Sequence, residues 1–455
     1  MENIQVSTEA LQVFTHDEAF HYRLVPYKMD SEANLYCFGD MNQDYADIIQ
    51  DIGIVYGFAV SVKPVSADEL TRMLGTYYRK SESDEPDVFD SELDFLSRLV
   101  EEAYRLRASD IHIEPSEHRC RVRFRIDGRL IERHVIKPSD YPGLVNRIKI
   151  MSNLDISEKR LPQDGRILYS RGEIKFDIRT SVMPTIFGEK IVLRLLARSG
   201  RNLTLDELGL DHKQMDDYVS SITRPHGLIL ISGPTGSGKS TTLYATLERL
   251  NRVDNNILTI EDPIEYTISG VSQVQLKEEI GLTFPVALRT FLRQDPDIIM
   301  LGEIRDEDTA EMAIRSSLTG HLLLSTLHTN SAWGCITRLT DMGVHPYLLS
   351  ETLIACVAQR LVRLLCPYCK REIEGHYVKT GCPQCHYTGY RGRKAIYEVI
   401  KMDEYLGKAV KDKSQDVTEY LRKKGIMSLK EAAMTLYMTG ETSYEEIISL
   451  LNDDL

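Results

Sequence analysis

The sequence has no run of apolar residues that approaches the roughly 20 needed for a membrane-spanning helix. Its first residues, MENIQVSTEALQ, contain neither the basic segment nor the apolar segment of a secretory signal. It also has no internal repeat and no low-complexity tract. We therefore expect a cytoplasmic protein whose membrane contacts are made through partners.

Positive charge is scarce relative to negative charge, because 55 lysine and arginine residues face 68 aspartate and glutamate residues, a formal net charge of −13. A protein that coats nucleic acid non-specifically needs a positive field, so this balance argues against that role and leaves room only for a local basic surface. The length of 455 residues is too great for one compact core. Two or three domains are expected.

Residues 1 to about 80 contain no motif that points to chemistry. Residues 1–80 are treated as an amino-terminal region that could dock a partner. The segment 81–87 is acidic, contains Pro86 and lacks aliphatic residues, which is typical of a linker.

A small α+β domain is predicted over residues 88–198. Apolar residues at helical spacing over 95–103 precede a stretch in which apolar residues alternate with arginines, the pattern of a half-buried strand. Asp127-Gly128 then predicts a hairpin turn, because both positions need a positive φ. A second strand-rich stretch runs from 174 to 196 and is predicted to break at Pro184 and Gly188. Residues 199–202 are interpreted as a short hinge.

From residue 203 to residue 455 the pattern changes to aliphatic runs of strand length that alternate with helices. Near-continuous aliphatic runs are typical of buried parallel strands, which predicts an α/β domain. The runs are Leu228–Ile231, Ile257–Ile260, Ile298–Leu301 and Leu322–Leu324. The last 50 or so residues are predicted to be helical.

A phosphate-binding loop is the most specific motif. The segment from Gly233 to Ser240 fits G-x-x-x-x-G-K-[ST] in full, between a predicted strand and an amphipathic helix. Lys239 is expected to reach the β- and γ-phosphates of ATP, and the Ser240 hydroxyl to bind Mg²⁺. The residues expected around the phosphates are Gly233, Pro234, Thr235, Gly236, Ser237, Gly238, Lys239, Ser240 and Thr241.

Two acidic clusters end neighbouring predicted strands. Glu303 follows the strand 298–301, and a cluster from Glu261 to Glu265 follows the strand 257–260. Carboxylates at the carboxyl ends of strands beside a P-loop could position Mg²⁺ and activate water, whereas a purely structural capping role is the alternative. His321 and His328 bracket the strand 322–327, and either could sense the γ-phosphate or be an ordinary strand-end polar residue.

Four of the eight cysteines form two C-x-x-C pairs separated by 12 residues: Cys366, Cys369, Cys382 and Cys385. Four thiolates at this spacing predict a closed tetrahedral Zn²⁺ site, with Gly375 and Gly381 supplying turns. Redox chemistry is the alternative, but a doubled pair outside a thioredoxin-like context favours zinc. The other four cysteines are interpreted as ordinary buried thiols.

The strand 119–125 carries four arginines. A solvated sheet face, a nucleic-acid surface and a set of arginines that approach a neighbour's nucleotide all fit this pattern, and interleaved aromatics for a single-strand binder are missing. Arg289, Arg293 and Arg305 lie close to the acidic strand ends in the sequence and could serve in the same way.

In their order, these segments resemble the ATPases of type II secretion and type IV pilus assembly (the GspE/PilB kind). The resemblance covers about residues 90–400. It is carried by RASDIHIEPSEHRCRVRFRIDG, RLPQDGR, GPTGSGKST, TIEDPIE, RQDPDIIMLGEIRD, TGHLLLSTLHTN and the paired C-P-x-C segments followed by TGYRGRKAIYEV.

The resemblance implies a homohexamer in which a PAS-like domain (88–198) joins a RecA-like P-loop ATPase domain (203–455). It implies a Cys₄ zinc lobe at about 362–392 and a location at the inner membrane, through a platform protein. By motif position, Glu265 matches the catalytic carboxylate and Glu303 the Walker B glutamate. His321 and His328 match the histidine box, and Arg147, Arg160 and Arg166 match arginines that approach nucleotide.

The four cysteines and the segment AIYEV favour the assembly and secretion branch over retraction motors, which lack the cysteines. The leading hypothesis is thus an ATP-driven motor that assembles a pseudopilus or pilus, with no nucleic acid as partner. The alternatives are a RecA-like nucleic-acid translocase and a nucleotide-binding scaffold without turnover.

Overall fold

The computed structural model describes residues 6–30, 34–78, 93–117, 119–171, 174–197, 203–385, 388–414 and 416–452. The predicted linker at 81–87 and hinge at 199–202 lie outside these ranges. The chain forms two compact units, of which the first comprises Met1–Ser199, Cys366–Arg371 and Lys379–Arg391, and the second comprises the rest. Within the described ranges, no helix is long and apolar enough to cross a membrane.

The amino-terminal region forms a small sheet with four helices around its own core, in which Leu24, Leu35, Ile52 and Leu70 are fully buried. The strand order is β1-β2-β3, with β1 antiparallel and β3 parallel to β2. The elements are α1 Thr8–Leu11, α2 His16–Tyr22, β1 Leu24–Met29, β2 Asn34–Asp40, α3 Ala46–Tyr56, β3 Ala59–Val65 and α4 Ala67–Tyr77.

The next region is a six-stranded antiparallel sheet with order β6-β5-β4-β9-β8-β7 and two helices. Its elements are α5 Leu93–Arg105, β4 Ala108–Pro115, β5 Cys120–Ile126, β6 Arg129–Ile136, α6 Tyr141–Met151, β7 Gln163–Arg171, β8 Ile174–Thr185 and β9 Gly188–Ala197. The hairpin predicted at Asp127-Gly128 is present, with φ angles of 47° and 86°. Alternation along β5 buries Val122 and Phe124 and turns the arginines to the other face.

The break predicted at Pro184 is wrong, because β8 continues to Thr185 and pairs with β9 as far as Gly188. Proline lacks an N–H donor, so it is tolerated in a sheet where no second strand needs that donor. On its other side, β8 pairs with β7 only up to Val182. Pro184 therefore lies beyond the end of β7, where only β9 is a neighbour.

The second unit is built on a seven-stranded sheet with order β12-β11-β13-β14-β10-β15-β18. Strands β10 to β15 pair in parallel, and every residue of β10, β11, β13 and β14 is buried, as expected when helices cover both faces. The elements up to β15 are α7 His212–Ile222, β10 Gly227–Ser232, α8 Lys239–Leu250, β11 Ile257–Glu261, β12 Ser272–Gln275, α9 Phe284–Phe291, β13 Ile298–Leu301, α10 Glu307–Leu318, β14 Leu322–Leu327, α11 Gly334–Asp341, α12 Pro346–Thr352 and β15 Leu353–Leu365.

The chain ends in a short hairpin, one long strand and four helices. They are β16 Arg371–Ile373, β17 His376–Val378, β18 Tyr390–Lys401, α13 Glu404–Lys411, α14 Thr418–Lys423, α15 Leu429–Met438 and α16 Tyr444–Leu451, and short 3₁₀ turns lie at Leu205–Glu207, Glu278–Ile280 and Pro383–Cys385. The predicted helical end is thus present. Gly375, with φ of 79°, turns the β16–β17 hairpin and not a cysteine knuckle, which corrects its predicted role.

Candidate functional site

The P-loop connects the buried strand β10 to helix α8 and depends on two glycines. Gly233 and Gly238 have φ angles of 150° and 90°. A Cβ on Gly233 would lie 2.6 Å from the carbonyl oxygen of Gln359, and one on Gly238 would lie 2.8 Å from its Nε2. Both positions therefore need glycine for conformation and for space.

Polar groups inside the loop fit a polyphosphate ligand. The Lys239 ammonium donates to the carbonyls of Gly233 and Pro234, at 2.7 and 3.2 Å. Burial lowers the pKa of Lys239, and the charge of Glu303 acts in the opposite direction. The Ser237 hydroxyl is buried and finds no hydrogen-bond partner in the described part of the chain. An anion in the loop would provide both groups with an acceptor.

Sequence reasoning missed Gln359, which supports the loop from β15. Its Nε2 donates to the Ser237 carbonyl at 2.7 Å, and its Oε1 accepts from the Thr242 hydroxyl at 2.9 Å. β15 runs parallel to β10, and Ala358 lies opposite Ser232, so Gln359 is level with the start of the loop. The signal in the sequence was a polar Gln-Arg pair that interrupts an otherwise aliphatic strand.

Glu303 lies at the carboxyl end of the parallel sheet, two residues after β13. Its carboxylate accepts from Arg305 at 2.5 Å and lies 3.5 Å from His328 Nε2, at the end of the adjacent strand β14. Partial burial would raise the pKa of Glu303, but the Arg305 hydrogen bond and the nearby charges of Arg305, His328 and Lys239 lower it overall. The site thus holds an ionised carboxylate beside the P-loop lysine.

The structure separates the carboxylates of the second acidic cluster. Glu261, the last residue of β11, is buried and accepts from three side chains: the hydroxyls of Tyr244 and Thr259 and the amide of Gln273. Its oxygens are therefore occupied by the protein's own donors. Glu265 lies four residues further on, half-buried in the loop after the strand. Of these two glutamates, Glu265 is the better candidate for contact with nucleotide or water.

His321 and His328 lie at opposite ends of the strand β14. His328 follows β14 and joins Glu303, as described above. His321 precedes β14, and its Nδ1 lies 2.9 Å from the Ser316 carbonyl at the end of α10. A six-residue strand separates them by about 20 Å. In a parallel sheet only the carboxyl ends of the strands lie at the P-loop, and His321 lies at the amino end of β14. Within one chain His321 is therefore not part of the P-loop site, which corrects its predicted catalytic role.

The predicted arginines have different surroundings. Arg289, near the end of α9, and Arg293, just beyond it, are exposed, and Arg293 donates to the Arg289 carbonyl at 2.9 Å. In the first unit, Arg160 is exposed and pairs with Glu158 at 3.1 Å, and Arg166 pairs with Asp177. Arg147 on α6 is half-buried, and its Nε has no hydrogen-bond partner in the described ranges.

Three arginines of the strand β5 pair with two carboxylates of β4. Arg121 and Arg123 pair with Glu114 at 2.9 and 2.7 Å, and Arg125 pairs with Asp110 at 3.4 Å. The same two carboxylates also pair with Lys190 and Arg194 of β9, at 2.8 and 3.0 Å, so they offset only part of the positive charge. The ordered pairs fit the solvated sheet face.

The four clustered cysteines meet in space. Their sulfur atoms all lie within 4.8 Å of one another, and three of the Sγ–Sγ distances are 3.7, 3.7 and 3.8 Å. A tetrahedron with Zn–S bonds of about 2.3 Å has edges of about 3.8 Å. The backbone N–H groups of Cys382 and Gly389 donate to Cys385 Sγ at 3.2 and 3.3 Å, as thiolate ligands require. The set fits a closed zinc site. The other four cysteines are buried, as predicted.

A parallel sheet with a P-loop after β10, a lysine in that loop and an ionised carboxylate after β13 defines a P-loop ATPase. The family described as T2SSE, Type II/IV secretion system protein, matches residues 89–449, and the chain belongs to it. Type II secretion system protein HxcR of Pseudomonas aeruginosa is 48% identical over 362 residues, which cover 79% of this chain and 77% of that protein.

Two further comparisons agree with this membership. Type IV pilus assembly ATPase PilB of Myxococcus xanthus is 46% identical over 375 residues, covering 77% of this chain and 66% of that protein. The solved structure of the pilus retraction motor PilT with bound ADP superimposes with a TM-score of 0.56 at 27% identity, covering 79% of this chain and 98% of that one. The predicted family, the α/β fold class and the ATPase activity are confirmed.

Proposed function

We propose that this ATPase is the motor of a type II secretion or type IV pilus assembly machine. It works as a homohexamer at the inner membrane, where it is held by a platform protein, and each cycle of hydrolysis advances the addition of pilin-like subunits to a fibre. The similarity to HxcR and PilB supports this function over a nucleic-acid translocase, and so does the net charge of −13.

ATP is held by the P-loop in this proposal. Backbone N–H groups at the start of α8 donate to phosphate oxygens, and Lys239 exchanges the carbonyls of Gly233 and Pro234 for the β- and γ-phosphates. The Ser240 hydroxyl would hold Mg²⁺, which would supply neutralisation of the phosphate charge. Glu265 and Glu303 position the attacking water and accept its proton, and His328 orients Glu303. The observation that carries this assignment is the ion-paired Glu303 beside Lys239.

The predicted arginines approach nucleotide in this proposal. Arg147, Arg160 and Arg166 of the α+β domain, with Arg289 and Arg293 of the ATPase domain, neutralise phosphate charge in this proposal. The buried Nε of Arg147, which finds no hydrogen-bond partner among the described residues, supports it. The four cysteines hold Zn²⁺ as a structural ion, since a closed Cys₄ site leaves no coordination position for catalysis.

The test combines turnover with capture of partners. We expect Glu303→Gln to lower ATP hydrolysis about a hundredfold or more while ATP binding is kept, because the P-loop is intact and only the ionised carboxylate is lost. Glu311→Gln is the matched control, since Glu311 is exposed and pairs only with Arg315 one helical turn away. Hydrolysis at the wild-type rate in Glu303→Gln would refute the assignment.

Crosslinking of the Glu303→Gln protein in its native cells then tests the machine. We expect an inner-membrane platform protein with pilin-like components among the captured proteins. Recovery of DNA-processing proteins without any envelope component would instead favour the translocase.

A further inference from the structure

We propose that Tyr244 is a positioning residue for Glu265, and that its hydroxyl connects the P-loop helix to the loop that carries this carboxylate. The inference rests on the proposed function, in which Glu265 handles the attacking water. Tyr244 is on α8, five residues after Lys239, and 1% of its surface is exposed. A buried side chain at that depth can act only through the groups it touches.

The hydroxyl of Tyr244 makes two hydrogen bonds of opposite direction. It donates to the Glu261 carboxylate, and its oxygen accepts from the backbone N–H of Glu265 at 3.1 Å. A carboxylate accepts only, so the single phenolic proton points to Glu261 and a lone pair is left for Glu265 N–H. The directions of both bonds are thus determined by Glu261.

Glu261 is itself held in place by other donors. The Thr259 hydroxyl and the Gln273 amide donate to its Oε1 at 2.6 and 3.1 Å. Gln273 also accepts from Ile268 N–H at 2.7 Å and donates to the Tyr266 carbonyl at 3.1 Å. Gln273 therefore anchors the far end of the loop 262–268. Tyr244 anchors the same loop at Glu265.

The helix supplies a direct relation to the nucleotide. Ser240 and Tyr244 are four residues apart on α8, so they lie on the same face of the helix, one turn apart. The ring of Tyr244 packs edge-on against Tyr266, with ring centroids 4.5 Å apart, next to Glu265. The hydroxyl proposed to bind magnesium and the hydroxyl that holds the Glu265 backbone thus belong to one helix, so the loop of Glu265 is anchored to the helix that begins at the P-loop.

The experiment is a steady-state comparison of Tyr244→Phe with wild type in the full-length chain. We expect kcat to fall about ten- to a hundredfold, because the anchor on Glu265 is a hydrogen bond near charged groups. We expect KM for ATP to stay within about twofold, because the P-loop is untouched. Tyr218→Phe is the matched control: its hydroxyl is buried and hydrogen-bonded to Thr246 on the same helix at 2.8 Å, away from Glu265. It should keep its kcat.

A purely structural role would not produce non-additivity, so Tyr244→Phe is also combined with Glu265→Gln in single-turnover measurements. In the Glu265→Gln background, we expect Tyr244→Phe to lower the single-turnover rate by less than about twofold. An equal, independent loss in the double variant, or a wild-type kcat for Tyr244→Phe, would overturn the positioning role. If Tyr244→Phe alone unfolds the domain, it is combined with Glu261→Gln. The second substitution removes the buried carboxylate that Tyr244→Phe leaves without its donor, and the same loss of kcat is expected.

The two ways of failing are distinguishable. If Glu265→Gln hydrolyses ATP at the wild-type rate, the catalytic assignment of Glu265 fails whatever Tyr244 does. If Glu265→Gln is inactive and Tyr244→Phe is not impaired, the positioning inference alone fails.

Discussion

At the scale of single residues, the site depends on how Arg305 controls the charge of Glu303. Arg305 donates to Glu303 and also lies 3.3 Å from Asp262, so it connects the ends of two strands. Its hydrogen bond is the largest contribution that lowers the pKa of Glu303 against the effect of burial. The carboxylate is ionised above its pKa, so a lowered pKa keeps Glu303 active as a proton acceptor further into the acidic range.

Arg305→Gln should therefore raise the pKa of Glu303. We expect the acid limb of the kcat profile, normalised to each enzyme's plateau, to move to higher pH than in wild type. Arg315→Gln is the control, because Arg315 is an exposed arginine of the same domain that pairs with Glu311. An unchanged limb in Arg305→Gln would show that the group titrating in the profile is not Glu303.

At the scale of elements, the cysteine cluster is the clearest case of a locally formed site, because two C-x-x-C turns close in the sequence supply all four ligands. We expect about one zinc ion per chain by elemental analysis, and loss of that zinc in Cys366→Ser and Cys385→Ser. Cys37→Ser should keep the ion, since Cys37 is buried in the amino-terminal core. A zinc-free wild-type protein, purified without chelators, would contradict the assignment.

The strands of the ATPase domain could be predicted because they are buried on both faces. β10, β11, β13 and β14 appear in the sequence as unbroken aliphatic runs, and the P-loop motif identifies which helix follows β10. In a parallel sheet, the strand direction decides which ends of the strands lie beside the P-loop. Applied to β14, this rule would have excluded His321 from the site and kept His328. That error came from motif position and not from the strand pattern.

Other features could not be predicted, because they depend on contacts between distant segments. Gln359 supports the P-loop from a strand more than a hundred residues away, and Pro184 is tolerated only because β7 ends before it. The amino-terminal sheet escaped detection since β3 has no buried residue and contains Pro64. The strand pattern does not separate Glu261 from Glu265. The family resemblance singled out Glu265, and the donors around Glu261 give the physical reason.

At the scale of the whole molecule, the proposed hexamer makes a prediction that no single site can make. In a ring whose subunits hydrolyse ATP in a coupled cycle, one inactive subunit impairs its neighbours. Lys239→Ala removes the phosphate-binding charge and nothing from the zinc cluster or the core. When Lys239→Ala chains are mixed with wild-type chains before assembly, the ATPase activity should fall more steeply than in proportion to the fraction of Lys239→Ala chains.

The measurement is ATPase activity against the fraction of Lys239→Ala chains at constant total concentration. For a tightly coupled ring of six, the activity at equal mixing would fall to a few per cent of wild type, because few rings contain only active chains. Arg315→Gln chains serve as the mixing control and should leave the activity unchanged. A straight line from full to zero activity would mean that the subunits act independently, and the fibre would then have to be driven by uncoordinated single cycles.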